Sequence, residues 1–179
     1  AQVNGEYGFH FGTGTCFAAV IRVDVPDAGA YQDGYKILLR HALEIARREL
    51  RLLADDYAAS LGKAGILIVL CLEDYHTVDV TQCFTKIRKE IENQRDLFWS
   101  IQTTVCLGSR KGTLEQVGGS MREALWLCRD RLCRPQFWRD AALEQPDLTQ
   151  RYQLDVFRKK SFQVAAECLD EPHFVQELE

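Results

Sequence analysis

The segment Trp99–Pro135 constrains the fold most, because it has the pattern of a strand, a glycine turn and a helix in succession. Residues Trp99–Leu107 alternate between apolar and polar, which predicts a strand that ends at Gly108. Thr113 followed by Gln116 is typical of a capping box at a helix start. An apolar stripe at helical spacing predicts an amphipathic helix, which the final proline ends. The stripe consists of Leu114, Val117, Met121, Ala124, Leu125, Cys128 and Leu132.

The chain before this segment predicts two more strands in a hairpin, one earlier strand and two helices. CFAAVIRVDV at residues 16–25 alternates like a strand, and residues 31–54 carry apolar positions at helical spacing. A short strand over residues 57–60 and a turn at Gly62–Gly65 lead into the continuous apolar strand Ile66–Leu72, which predicts a central position. Asp79 is the predicted cap of the second helix. Residues 136–139 predict a last edge strand.

This order of elements predicts an α+β fold. The specific expectation is a ferredoxin-like βαββαβ antiparallel sheet with helices on one face, plus C-terminal linker helices. The predicted domain covers residues 1–145, of which 1–15 form an irregular lead-in. Residues 146–179 are predicted to form a helical linker toward a missing C-terminal domain, with a helix from Asp147 through Leu169 and another near Pro172.

Composition narrows the range of functions. The formal net charge is −4 and the pI is near 5.6, whereas a duplex-binding surface usually needs a clustered basic face. We therefore expect no direct nucleic acid contact on this fragment and no membrane contact, since no apolar run is long enough to span a bilayer. Apolar residues make up 46% of the chain, which suffices for a core.

The seven cysteines are an odd number and include no CxxC pair. Most lie on predicted apolar faces, which favours buried reduced thiols in a cytoplasmic protein over a disulfide framework or a zinc site. They are Cys16, Cys71, Cys83, Cys106, Cys128, Cys133 and Cys168.

Several segments of the chain resemble a known family when they are taken in order. NGEYGFHFGTGTCFAAVIRVD is similar to the opening segment and first strand of the GGDEF superfamily, and IQTTVCLGS is similar to its later strand. LEQVGGSMREALWLCRDRL is similar to the helix that follows, and RYQLDVFRKKSFQVAAECLDEPHFVQEL is similar to a helical linker. The chain thus resembles the degenerate GGDEF-like, cyclase-related central domain of AraC-type response regulators, over nearly its whole length.

The resemblance implies where catalytic carboxylates would lie. A cyclase of this superfamily holds two metal ions with acids at the end of the first strand and on the hairpin between the second and third strands. Asp24 stands at the first place, whereas the hairpin has Lys63, Ala64, Gly65 and Ile66 where the acidic signature would fall. The missing acids predict that the chain is no enzyme, with no catalytic, cofactor-binding or metal-binding residues. An acid at a strand end is also more often a turn former or a helix cap than a metal ligand.

Three weaker features admit structural explanations. GSRKG at residues 108–112 could cradle a phosphate, but a plain turn is favoured because the Walker spacing is missing. The four scattered histidines favour surface or core roles. The mixture of cations and aromatics at the end of the Trp99–Pro135 helix could suit nucleic acid, but a solvated helix end and an edge strand explain it equally well. That mixture consists of Arg129, Arg131, Arg134, Phe137, Trp138 and Arg139.

The leading hypothesis is a non-catalytic signalling, coupling or dimerisation module of a bacterial AraC-type transcription regulator in two-component signalling. The resemblance implies receiver and helix-turn-helix DNA-binding domains of the same protein as partners, and a homodimer is also considered. The first alternative is a small-molecule or nucleotide sensor domain. The second is an unconventional nucleotidyl cyclase that uses Asp24 as a metal ligand together with Glu73 or Asp74.

Overall fold

The computed structural model describes residues 14–25, 32–54, 56–73, 75–94, 98, 100–132 and 136–146. The strands are β1 (Thr15–Asp24), β2 (Tyr57–Gly62), β3 (Gly65–Leu72), β4 (Gln102–Leu107) and β5 (Trp138–Asp140). The helices are α1 (Gln32–Leu53), α2 (Thr77–Glu92), α3 (Val117–Asp130) and α4 (Ala141–Glu144), with a 3-10 turn at Leu114–Gln116. The predicted lead-in before residue 14 and the two predicted linker helices lie outside the described residues.

The five strands form one mixed sheet in the order β2-β3-β1-β4-β5. β1 is central and runs antiparallel to β3, with Ile21 opposite Ile66, and antiparallel to β4, with Ala19 opposite Leu107. β5 pairs with β4 in parallel. The predicted α+β class is confirmed, whereas the expectation of a wholly antiparallel sheet is wrong at β5. The finer ferredoxin-like description stays a prediction.

The helices cover both faces of the sheet. Alternate residues of β1, from Phe17 to Val23, pack with α1 and α2 in the larger core cluster. Val20 lies on the opposite face with Cys106, Ala124 and Leu127, where α3 packs. The prediction of helices on one face is therefore wrong. The physical reason is that the residues of β1 that point to either face of the sheet are mostly apolar and buried. Each face therefore needs a covering layer of helices.

Several element boundaries differ from the predicted ones because tertiary pairing sets them. β4 begins at Gln102 rather than Trp99, since its partner β1 ends where Asp24 pairs with Gln102. α2 begins at Thr77 with His76 as its N-cap residue, so Asp79 lies in the first helical turn and not at the cap. A carboxylate in that turn is still favourable, because it faces the positive end of the helix dipole.

The predicted capping box at Thr113 does not form as expected. Thr113 precedes the 3-10 turn and makes no side-chain capping hydrogen bond, and the α-helix begins only at Val117. The last strand begins two residues later and ends one residue later than predicted, and the sequence interpretation missed α4. At α4 the Asp140 carboxylate accepts a hydrogen bond of 2.8 Å from the Ala142 backbone N–H.

Gly108 permits close packing between the end of β4 and the start of α3. A Cβ atom at this position would lie 2.0 Å from the Ser120 carbonyl oxygen. The Ser120 hydroxyl accepts a 2.9 Å hydrogen bond from the Ala18 backbone N–H, which ties the helix to β1 as well. Only glycine fits at this junction.

Cys16 and Cys71 form a disulfide between the neighbouring strands β1 and β3, so the prediction of reduced thiols is wrong for this pair. The two residues are direct partners in the register, with a Cα–Cα distance of 4.1 Å. The N–H and carbonyl of Cys16 both bond to Lys111 on the other side, at 2.8 Å each. Cys16 and Cys71 thus form a non-hydrogen-bonded pair, the position where cross-strand side chains come closest.

Three described cysteines are free: Cys83 is half-buried, and Cys106 and Cys128 are buried. These three agree with the predicted thiols in apolar surroundings, whereas Cys133 and Cys168 lie outside the described residues.

Among the helices that the structure describes, none has the length and apolar character needed to cross a membrane.

We expect a reducing agent to lower the free energy of unfolding, because the disulfide closes a loop of 55 residues in the unfolded chain. The loss should be about 2–4 kcal/mol, measured by urea unfolding with and without dithiothreitol. A Cys16→Ser, Cys71→Ser double variant is the control and should not respond to the reductant. An equal response of both proteins would contradict the predicted role of the disulfide.

We expect Gly108→Ala to destabilise the fold by about 2 kcal/mol or more, since the added methyl group collides with the backbone of Ser120. Gly118→Ala is the matched control, because Gly118 is the second residue of α3 and a Cβ atom there would meet no neighbouring element within 4 Å. That change should stabilise the protein by up to about 1 kcal/mol through helix propensity. Equal effects of the two changes in urea unfolding would refute the steric explanation.

Candidate functional site

The end of β1 brings together three parts of the chain that are distant in sequence. β3 runs antiparallel to β1, so its start, and with it the β2–β3 turn, lies beside the end of β1. α3 packs across β1 and reaches the same place with its C-terminal end, where Arg131 follows the helix. We call this group the β1-end site and define it by Asp24, Arg22, Arg131 and the turn at Lys63 and Ala64.

Two guanidinium groups occupy the Asp24 carboxylate. Arg131 donates from Nε to Oδ2 and from Nη2 to Oδ1, each at 2.9 Å, in a bidentate arrangement. Arg22 adds a third bond, from Nε to Oδ1 at 3.0 Å. Both carboxylate oxygens are therefore engaged by fixed positive charges, at the position where the family resemblance implies a metal ion.

The β2–β3 turn is packed tightly against β1. Gly65 has φ +129°, a conformation that side-chain-bearing residues rarely adopt, and a Cβ there would lie 2.3 Å from the Ile21 carbonyl oxygen. Arg22 Nη1 donates to the Lys63 carbonyl oxygen at 3.3 Å, and the Cys128 thiol lies 3.8 Å from the Ala64 carbonyl oxygen. The turn thus offers two backbone carbonyl oxygens to the site, and its residues Lys63 and Ala64 include no carboxylate.

The charges of the site shift the pKa of Asp24 downward. Partial burial by itself raises the pKa of this carboxyl, but the hydrogen bonds and charges of Arg131 and Arg22 outweigh burial and hold it below its ordinary value. The same pairing raises the pKa of Arg131. The aspartate is therefore ionised and neutralised within the protein throughout the physiological pH range.

The structure does not bring Glu73 to Asp24. Glu73 follows Leu72, which pairs with Thr15 at the opposite end of the ten-residue strand β1. Asp74 lies outside the described residues. Within the described part of the chain, no three His, Cys, Asp or Glu side chains are grouped as a metal site would require. The two-carboxylate arrangement of the cyclase alternative thus has no counterpart between Asp24 and Glu73.

The sequence interpretation missed the thiol pair of Cys106 on β4 and Cys128 on α3. Both are buried and face each other across the second core cluster. Their mutual hydrogen bond raises the pKa of Cys106 and lowers the pKa of Cys128, and Arg131 contributes to the lowering. The signal was present, because Cys128 belongs to the apolar stripe of the helix and Arg131 follows it by three residues, on the same side.

The GSRKG loop lies at the other end of the sheet, and a carboxylate of the protein accepts hydrogen bonds from two of its residues. Glu123 accepts from the Ser109 backbone N–H at 2.7 Å and from Lys111 Nζ at 3.2 Å. Arg110 stacks on Tyr75, with its guanidinium carbon 4.6 Å from the ring centroid, and pairs with Asp140 at 3.4 Å. These contacts agree with the preferred interpretation of the loop as a structural turn.

The group of cations and aromatics near the end of α3 differs from the predicted solvated helix end. Arg139 is 1% exposed and is held by Asp130, Glu144 and the Leu127 carbonyl oxygen, the last at 2.9 Å. Trp138 packs edge-on against Phe84. Arg131 and Arg139 therefore form ion pairs within the domain, because nearby carboxylates match their charges. Arg134 lies outside the described residues, and Arg129 is exposed.

The described histidines agree with a surface role, since His41 and His76 are exposed. His10 and His173 lie outside the described residues.

Comparison of the chain with protein-family models, with curated proteins and with solved structures found no match. The function proposed below is therefore argued from the contacts and charges of the β1-end site.

We expect Asp24→Asn to lower the free energy of unfolding by about 1 kcal/mol at neutral pH, because the bidentate pair with Arg131 is partly exposed. The gap to wild type should close as the pH falls from about 4 towards 2. The reason is that the lowered pKa of Asp24 stabilises the fold only while the carboxyl is ionised.

Asp33→Asn is the matched control, since its side chain is 93% exposed and pairs only with Lys36 among the described residues. It should leave the free energy of unfolding nearly unchanged at both pH values. A gap between wild type and Asp24→Asn that stays constant from pH 7 to about 2 would contradict the pairing described here.

Proposed function

We propose that the chain is a non-catalytic module that couples or dimerises parts of a bacterial AraC-type transcription regulator. The observation that carries the proposal is the occupied carboxylate of Asp24. A cyclase needs this oxygen pair, together with hairpin acids, to hold divalent ions that neutralise a triphosphate. Here Arg131 and Arg22 take both oxygens, and the hairpin supplies Lys63.

Ion pairs also supply a continuous mechanical path through the domain, which supports the coupling part of the proposal. Asp24 and Arg131 join the end of β1 to the end of α3. Arg139 then joins α3, through Asp130 and the Leu127 carbonyl, to β5 and to Glu144 of α4. The pairs of Arg139 are buried and costly to break, and the Asp24–Arg131 pair adds a partly exposed bidentate contact. We propose that these contacts carry a displacement at the β2–β3 turn toward α4.

The proposed partners are a receiver domain and a helix-turn-helix DNA-binding domain of the same protein, in the cytoplasm. They follow from the family resemblance. The Cys16–Cys71 disulfide argues against a cytoplasmic location, because cytosolic thiols are normally kept reduced. Trapping free thiols at the moment of cell lysis shows whether Cys16 and Cys71 are reduced or bonded in the cell. A reduced pair agrees with the cytoplasm, and a disulfide contradicts it.

Incubation with GTP or ATP and Mg²⁺ or Mn²⁺, followed by chromatography, tests the absence of catalysis. We expect neither wild type nor Asp24→Ala to form product above a blank without protein, while a cyclase of known activity does so under the same conditions. Product formed by wild type and abolished in Asp24→Ala would overturn the proposal, because Asp24 would then hold a metal ion during turnover.

Sedimentation equilibrium over a range of concentrations tests the dimerisation part. A concentration-dependent dimer supports it, and a monomer at the highest concentration removes it and leaves coupling alone. A thermal-shift series with GTP and ATP in the same buffer tests the sensor alternative, since a ligand that binds only the native state must raise the melting temperature.

A further inference from the structure

β2 is the outermost strand of the sheet in the described part of the chain, and it pairs there on one side only. The strand order places it beside β3 alone, and no described strand pairs with its other side. It contains no proline or bulge that would block pairing, and Leu61 is 41% exposed there. Natural proteins usually protect such an edge, so an edge that pairs with no described strand is a candidate surface for an added strand.

The register shows which backbone groups point outward. Gly62 pairs with Gly65 across the two-residue turn, so Gly62 and every second residue before it bond to β3. The N–H and carbonyl groups of Tyr57, Ala59 and Leu61 consequently point away from the sheet. A hydrogen bond supports this assignment, because Arg47 Nη2 of α1 donates to the outward Ala59 carbonyl oxygen at 3.1 Å.

A basic stripe on α1 runs beside this edge. Arg40, Glu44, Arg47 and Arg51 recur at helical spacing on one side of α1. Contacts with β2 fix its place, since Arg47 reaches Ala59 and Arg51 Nε lies 3.1 Å from the Tyr57 hydroxyl. Three guanidinium groups accompany one carboxylate, on a chain whose net charge is −4.

We propose that the β2 edge and this basic stripe bind an extended acidic segment of a partner protein, which adds to the sheet as a further strand. The backbone of the segment bonds to the outward groups of Tyr57 and Leu61, and its alternate carboxylates meet Arg40 and Arg51. The segment's N–H displaces Arg47 from the Ala59 carbonyl and leaves that guanidinium for another carboxylate. The inference goes beyond the proposed function and does not depend on the absence of catalysis.

Charge favours an acidic partner over a second copy of this chain. Two β2 edges paired about a two-fold axis at Ala59 would place Arg47 opposite Arg47 of the second copy, and like charges directly opposed are destabilising. An acidic strand meets the same guanidinium groups with opposite charge. Its binding should therefore weaken as salt concentration rises.

Fluorescence anisotropy tests the proposal with two labelled probes, a short peptide of alternating glutamate and valine and its lysine counterpart. The decisive variant is Leu61→Pro, which removes an outward N–H and no bond to β3. We expect it to weaken binding of the glutamate peptide about tenfold, as for the loss of one backbone hydrogen bond. Leu61→Ala keeps the N–H and should bind like wild type.

Arg40→Glu is the second variant, because Arg40 is exposed and has no hydrogen bond or ion pair within the described residues. It should weaken glutamate-peptide binding several-fold without changing the melting temperature, and it decides the matter if Leu61→Pro fails to fold. The proposal is overturned if either folded variant binds as wild type does, if the lysine peptide binds as tightly, or if neither peptide binds. Self-association of the protein that Leu61→Pro abolishes would also overturn it, in favour of a second copy at this edge.

Discussion

The fold depends on one strand that must be buried on both faces. β1 is apolar at both parities, and its residues Val20 and Ile21, which face opposite sides of the sheet, have no exposed surface. Burying both faces requires helices on both sides, so α1 and α2 cover one face and α3 covers the other. This constraint also fixes the end of β1, because α3 can reach Asp24 only from the face that it covers.

The β1-end site follows from that arrangement. Arg131 lies just beyond the end of α3, and the packing of this helix on β1 brings its guanidinium to Asp24 at hydrogen-bond distance. A partly buried carboxylate needs a counter-charge, and two arginines supply it without a metal ion. The same principle applies at the other end of the sheet, where Glu123 neutralises Lys111, and beside the C-terminal end of α3, where Asp130 and Glu144 neutralise Arg139.

Periodicity predicted most elements within a few residues, since the patterns of β1, α1 and β3 are strong and local. The errors at the helix starts were local, at Thr113 and Asp79, whereas the others depended on contacts between distant residues. Pairing with β1 shortened β4, and the register set Cys16 against Cys71, although their spacing in sequence gives no sign of it. Only the sheet order places the basic stripe of α1 beside an edge of β2 that pairs with no described strand.

The amino-acid sequence by itself determined the α+β class, the position of Asp24 at a strand end and the absence of acids on the β2–β3 turn. These are properties of local pattern and composition, which need no partner to be defined. Tertiary structure alone decided what Asp24 contacts, which face each helix covers and which strand edge pairs with no other described strand. Those features arise from charges and strands far apart in the chain, and only packing brings them within the few ångströms at which they interact.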